Sequence, residues 1–227
     1  WPKLTNAFHV NGPGVKTERD RVSIHSTRAA IEAAVEDFRS RDEADLREQF
    51  QLGEDSRDWR IEKAKADVLA HPGADKFREI HYRPFDVKHT WYSGQTRGFI
   101  GTPGFPIMRQ MLDDEAVGML AMRQYEYRVP EYCYFFVTKM ITECRVFISN
   151  RGIANCFPLY LQEDLDRLAF SERGEQRAHN FKEEFLRMMA ICLDVPTSGA
   201  YRLPEGTTSR DIFDYVYSTF HSPTYRR

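Results

Sequence analysis

The sequence predicts an α+β fold, with a strand-rich central sheet over about residues 77–161 flanked by N- and C-terminal helices. Three observations predict it. Apolar residues recur at helical spacing before residue 75, they alternate with polar ones from Phe77, and they return to helical spacing after Leu161. At 227 residues the chain suits one domain. We divide it into a helical lobe (26–75), a strand-rich core (76–161) and a helical C-terminal part (162–227).

The chain opens as loop or strand, and Gly12-Pro13-Gly14 enforces a turn. Val22 and Ile24 alternate with polar neighbours, which predicts a short strand. Ser26 or Thr27 then caps a helix whose Ile31, Ala34, Val35 and Phe38 share a face. Further helices are expected near 42–52 and 56–70, the latter ended by His71-Pro72-Gly73. Strands follow from Phe77 and from His89 to Tyr92, with a shorter one from Gly98 to Thr102. Pro106 to Leu112 reads as a short helix. Val117 to Met122 is an unbroken apolar run, the mark of a buried strand, and Tyr134–Val137, Val146–Ile148 and Phe157–Leu161 read as extended. Residues 163–178 are charged and read as a loop. Asn180 is expected to cap a helix over 181–193, and Ser209 a final helix bearing Ile212, Phe213, Val216 and Phe220.

Composition narrows the class. The hydrophobic fraction of 41% excludes a fibrous chain, and no run of about 18 apolar residues is present to cross a membrane. Cys133, Cys144, Cys156 and Cys192 have no C-x-x-C spacing, so they read as reduced, mostly buried thiols of a cytoplasmic protein. The net charge of -2 hides an alternation: residues 1–25 and 76–161 are basic by +2 and +3, and 26–75 and 162–227 acidic by -5 and -2. Arg outnumbers Lys 24 to 8. Arg suits bidentate contact with guanine edges and phosphates, although a GC-rich coding sequence also raises it.

Catalytic motifs are missing. No G-x-x-x-x-G-K-[ST], G-x-G-x-x-G, G-x-S-x-G or H-E-x-x-H occurs, nor a Pro-Pro-Tyr element. Glu62-Lys63 after Asp58 reads as a solvated helix face rather than a nuclease cluster. No catalytic residue and no metal ligand is therefore assigned.

Four blocks occur in order: Gly14-Val15-Lys16-Thr17-Glu18-Arg19-Asp20; Tyr82-Arg83-Pro84-Phe85-Asp86; Phe157-Pro158-Leu159-Tyr160-Leu161; and Asp211-Ile212-Phe213-Asp214-Tyr215-Val216-Tyr217 running into His221-Ser222-Pro223-Thr224-Tyr225-Arg226. Together they resemble the C-terminal specificity region of type ISP restriction–modification enzymes and of related adenine-specific DNA methyltransferases. The resemblance implies a target-recognition domain that binds double-stranded DNA without catalysis of its own. It also implies a longer polypeptide, in keeping with a chain that starts at Trp1. There a methyltransferase domain would be its partner, and S-adenosylmethionine, ATP and magnesium would belong to the other domains. A structural coupler that joins those domains, touching DNA only incidentally, is the alternative.

Candidate DNA contacts fall in three places. Lys16, Thr17, Arg19 and Arg21 lie in a Gly/Pro-turned segment suited to phosphates, or else form a structural turn with local ion pairs. Lys88, Tyr92, Gln95 and Arg97, with His89 and Trp91, sit on strands and a Gly turn that could enter a groove. The alternative there is that Trp91 and Tyr92 divide between core and surface. Arg123 and Gln124 leave an apolar strand directly, unless Arg123 pairs with Glu126. In the second block, Pro84 is expected to fix a turn, Phe85 to pack, and Arg83 to pair with Asp86. The last two blocks are expected to build core or a face docking on the methyltransferase.

Overall fold

The computed structural model describes residues 3–124, 133–149, 151–162, 178–199 and 202–226. It is mixed α+β. The first part runs α1 (Leu4–Ala7), β1 (Gly12–Pro13), α2 (Asp20–Ser23), α3 (Arg28–Ser40), α4 (Glu43–Gln49) and α5 (Ile61–Ala70). The middle carries β2 (Phe77–Arg83), β3 (Asp86–Trp91), α6 (Phe105–Met108), β4 (Gly118–Ala121), β5 (Phe135–Thr138), β6 (Ile141–Thr142), β7 (Asn155–Pro158) and β8 (Tyr160–Leu161). The end carries β9 (Ala178–His179), α7 (Glu183–Leu193), β10 (Thr197–Ser198), β11 (Leu203–Pro204), α8 (Ser209–Thr219) and α9 (Pro223–Arg226).

The strand-rich middle forms two principal sheets rather than one. An antiparallel sheet has the order β1-β7-β4-β5, and a second has the order β3-β2-β6, with β6 parallel to β2. The first sheet separates two hydrophobic cores. Leu120 and Cys156, directly opposite each other, face a core filled by α3, α5 and the second sheet. Met119, Ala121, Phe135 and Phe157 face a core filled by α1, α7 and α8. Side chains alternate across a strand, so β4 is apolar at every position because both faces are covered. The run at Val117–Met122 predicts this buried strand.

Several local expectations give way to longer-range bonds. Val22 and Ile24 flank the end of helix α2 rather than forming a strand; Val22 and Ser23 are buried in its turn. The Val146–Ile148 segment is a turn, and 98–102 is a looped segment closed by mutual bonds between Lys16 and Thr102. Helix α5 starts at Ile61 because Ser56 and Trp59 close a turn first. Thr27 is the cap of α3, accepting from the Ala30 amide at 3.2 Å. Asn180 caps nothing. Its buried amide bonds Val10 N–H, Val10 C=O and Pro158 C=O at 2.7–2.8 Å, tying α1's exit to β7. Thr208 rather than Ser209 caps α8, in a reciprocal box with Asp211. The charged stretch 163–177 and Glu126 lie outside the described residues.

Candidate nucleic-acid interface

The segment from Gly14 to Arg21 is a strap bound along its length. Val15 donates its amide to Thr142 O at 2.7 Å, and Lys16 to Thr102 O at 2.8 Å. Gly14 lies so close to the Thr142 carbonyl that a Cβ would overlap it. The expectation of free amides approaching a phosphate is corrected at these positions. Thr17 is corrected too: it is buried, and its hydroxyl donates to Asp20. Arg19 lies over the Trp59 ring at 5.1 Å and donates to Glu54 O at 2.8 Å, so its guanidinium is held internally. Lys16 and Arg21 remain exposed, the first paired with Glu18 at 2.5 Å and the second bonded to Gln51 at 2.6 Å.

Beyond β3 the expectation divides. Trp91 and Tyr92 are both core, at 0% and 3% exposure, so Tyr92 is corrected as a DNA contact. Its hydroxyl donates to Pro103 O at 3.0 Å, and burial pushes its phenol well up. After it, a loop runs from Ser93 to Gly101, its first part at the surface and Gly98 to Gly101 buried. Gln95 and Arg97 are exposed on it, Arg97 in the left-handed region (φ 58°) with its amide on Gly101 O at 2.8 Å. This loop and α5 border a groove of about 690 Å³ lined by Lys63, His71, Gln95, Thr96, Arg97 and Thr102. Asp58 lines it as well, its carboxyl held below the usual range by Arg57 first, then by the charges of Arg97 and Lys16. Arg97 stands 3.8 Å from Asp58. Lys88 sits elsewhere, half-buried on β3 and paired with Asp86 at 3.1 Å. Arg123 and Gln124 emerge exposed at the end of β4, beside Gly152.

The four sequence blocks converge in two places. Tyr82 donates its hydroxyl to Asp20 at 2.6 Å, which joins the first block to the second. Burial, reinforced by that bond, pushes the Tyr82 phenol up to about 12. Arg83 lies over the Tyr82 ring at 3.8 Å and pairs with Glu143 at 2.7 Å rather than with Asp86. Burial raises the Glu143 carboxyl against the opposing pull of Arg83. Phe85 stands at the hairpin tip, 90% exposed, with one edge contact to Phe136 at 5.0 Å; the expectation that it packs is corrected. In the second core Phe8 contacts Phe157 at 5.4 Å and Phe213 at 6.5 Å, which joins the third and fourth blocks.

Sequence reasoning set Lys63 aside as a solvated face of α5, read His71 after it only as a helix stop, and passed over Asp67. Asp67 carries a readable signal, because it interrupts the apolar stripe of Ile61, Ala64 and Val68. Cys144 and Cys156 are buried while Cys133 and Cys192 are exposed, so burial holds for half of the thiols. Among the described residues, no three His, Cys, Asp or Glu side chains converge on a point, and no helix is long and apolar enough to cross a membrane.

Comparison with known proteins places this geometry. The family model of the Type ISP C-terminal specificity domain matches residues 6–227. No curated protein matches. The fold is similar to part of a DrdV–DNA complex solved by cryo-EM (TM-score 0.59, 18% identity, 95% of this chain). It is similar to part of LlaBIII, an ATP-dependent Type ISP restriction–modification enzyme bound to DNA (0.59, 15%, 97%). A nuclease-deletion mutant of LlaGI, a Type ISP enzyme in complex with a DNA substrate mimic, is similar over 99% of this chain (0.55, 14%). The chain spans 13–19% of the length of these three. With its two cores and its four blocks under one family model, the chain belongs to the Type ISP C-terminal specificity domain family.

Proposed function

We propose that the chain recognises a short sequence in double-stranded DNA and holds it for chemistry done by other domains of a longer polypeptide. Its own role is non-catalytic. The observation that carries this reading is the groove between α5 and the 93–101 loop. It gathers Lys63, Gln95 and Arg97 at one surface, with Asp58 and Asp67 beside them and Arg97 3.8 Å from Asp58. Cations of this kind hold phosphates, and Arg or Gln in a groove read base edges. The family match and the three neighbours, each described as bound to DNA or to a DNA mimic, support it. S-adenosylmethionine, ATP and magnesium then act in the other domains, and the cytoplasm is the compartment that suits such an enzyme.

A second surface favours a coupling role alongside recognition. Helices α1, α7 and α8 line an apolar groove of about 410 Å³, with Met188, Ile191, Leu193 and Tyr215 exposed on them. The methyltransferase domain of the same polypeptide is its proposed occupant. If it supplies the other half of the DNA clamp, the isolated chain binds DNA weakly. Fluorescence anisotropy with a labelled duplex tests the reading. Binding by the full-length protein that weakens as salt rises supports recognition, and no binding overturns it.

A further inference from the structure

Asp67 is a buried carboxylate for which DNA contact gives no direct use. It stands on α5 at 4% exposure. Its Oδ2 accepts from the Ser93 hydroxyl at 3.0 Å and from the Phe99 amide at 2.9 Å. Its Oδ1 accepts from Nδ1 of His71 at 3.0 Å. Among the described residues no Lys or Arg pairs with it, and a buried carboxyl with so little compensation is costly.

The bonds explain why a carboxylate stands there. The Ser93 hydroxyl and the Phe99 amide are donors and Nδ1 of His71 can be one, and a carboxylate offers an acceptor on each oxygen. Charge-assisted bonds are also shorter and stronger than neutral ones. Two of the partners are the two ends of the segment from Ser93 to Phe99, so one side chain pins both ends of the loop. The backbone at Gly98 passes so close that any Cβ would overlap the carboxylate. Between the pinned ends stand Gln95 and Arg97, and the left-handed φ of Arg97 is a conformation that the surroundings must impose. The third partner, His71, lines the same groove.

We propose that Asp67 is the positioning residue of the DNA-reading loop: it fixes the Ser93–Phe99 segment so that Gln95 and Arg97 meet base edges in one register. This rests on the reading that the loop faces DNA. A reading side chain must be held within a fraction of an ångström by its supporting shell, so a loosened loop loses discrimination before it loses attraction.

The test uses the full-length protein, with base preference read by selection from a randomised duplex pool. Five variants are compared: Asp67→Asn, Gly98→Ala, Ser93→Ala, Arg97→Ala and the Asp67→Asn/Arg97→Ala double variant. Asp67→Asn keeps the shape and turns one acceptor into a donor. It should flatten preference about tenfold at the base pair that Arg97→Ala flattens, with an unchanged slope of log affinity against log salt. Gly98→Ala should do the same by displacing the carboxylate. The Asp67→Asn/Arg97→Ala double variant should lose no more than Arg97→Ala alone. Ser93→Ala removes the hydroxyl that donates to Asp67 and accepts from the Gln95 amide, and keeps the test open if the others fail to fold; it should flatten the same position by a few-fold. Intact preference in a folded Asp67→Asn or Ser93→Ala protein overturns the inference, as does a change confined to thermal stability. If Arg97→Ala leaves preference intact, the DNA-facing reading of the loop fails and the inference fails with it.

Discussion

Arg97 stands 3.8 Å from Asp58 and Lys16 pairs with Glu18 at 2.5 Å, and the proposed function gives the two different work. Lys16 extends from a strap whose backbone is bonded on both sides at Val15 and Lys16, so it offers charge without a defined fork. Lys16→Ala should weaken binding to all duplexes about equally and lower the salt slope by about 0.9. Arg97 is a planar donor on a fixed loop, and Arg97→Ala should cost roughly 1–3 kcal/mol of discrimination at one base pair. Competition between the target and its single-base variants separates the two, and reversed outcomes would exchange the roles. His81 gives a pH prediction. Burial lowers its imidazole below 6.5, with Asp86 opposing weakly. The stability of the neutral ring is complete above pH 6.5 and is lost as pH falls through the lower folded value. Denaturant melts on either side of that pH should show the fall, and His81→Phe should flatten it. At this scale the sequence marked chemistry better than exposure. Gln95 and Arg97 are exposed as a reader should be, but Thr17 and Tyr92 are buried because strand pairing and a turn direct their side chains inward.

Elements with periodic faces were legible, and those settled by distant partners were not. The stripe of α3 and the apolar run of β4 appear where periodicity places them. The alternation at Val22–Ile24 is too short to outweigh the turn that Asp20 begins, and a helix forms there instead. Asn180 looks like a cap because caps are where Asn usually stands, yet its three bonds reach 22 and 170 residues away. Asn180→Ala leaves two carbonyls and an amide without those partners, at a cost of about 3 kcal/mol in a denaturant melt. A loss below about 0.5 kcal/mol would mean that the crosslink holds little. Thr208→Ala should cost about 1 kcal/mol and speed amide exchange in the first turn of α8, while Ser209→Ala should change neither.

For the whole molecule, one sheet carries both cores and thereby links the two surface functions proposed above. The first core holds α5 and the loop that borders the polar groove; the second holds the helices that bear the apolar one. The four blocks were visible in the sequence as a set, but their pairing was not. Tyr82 with Asp20 and Phe157 with Phe213 around Phe8 are contacts between segments far apart along the chain. Because both cores rest on β4, a single cooperative transition is expected on unfolding. The central claim is sequence-specific DNA recognition. Its most direct test is competition for the full-length protein between the duplex it selects and unrelated duplexes as salt rises. The account predicts a preference of at least about a thousandfold, with affinity falling linearly in log salt. Equal affinity for every duplex, or binding indifferent to salt, would contradict it.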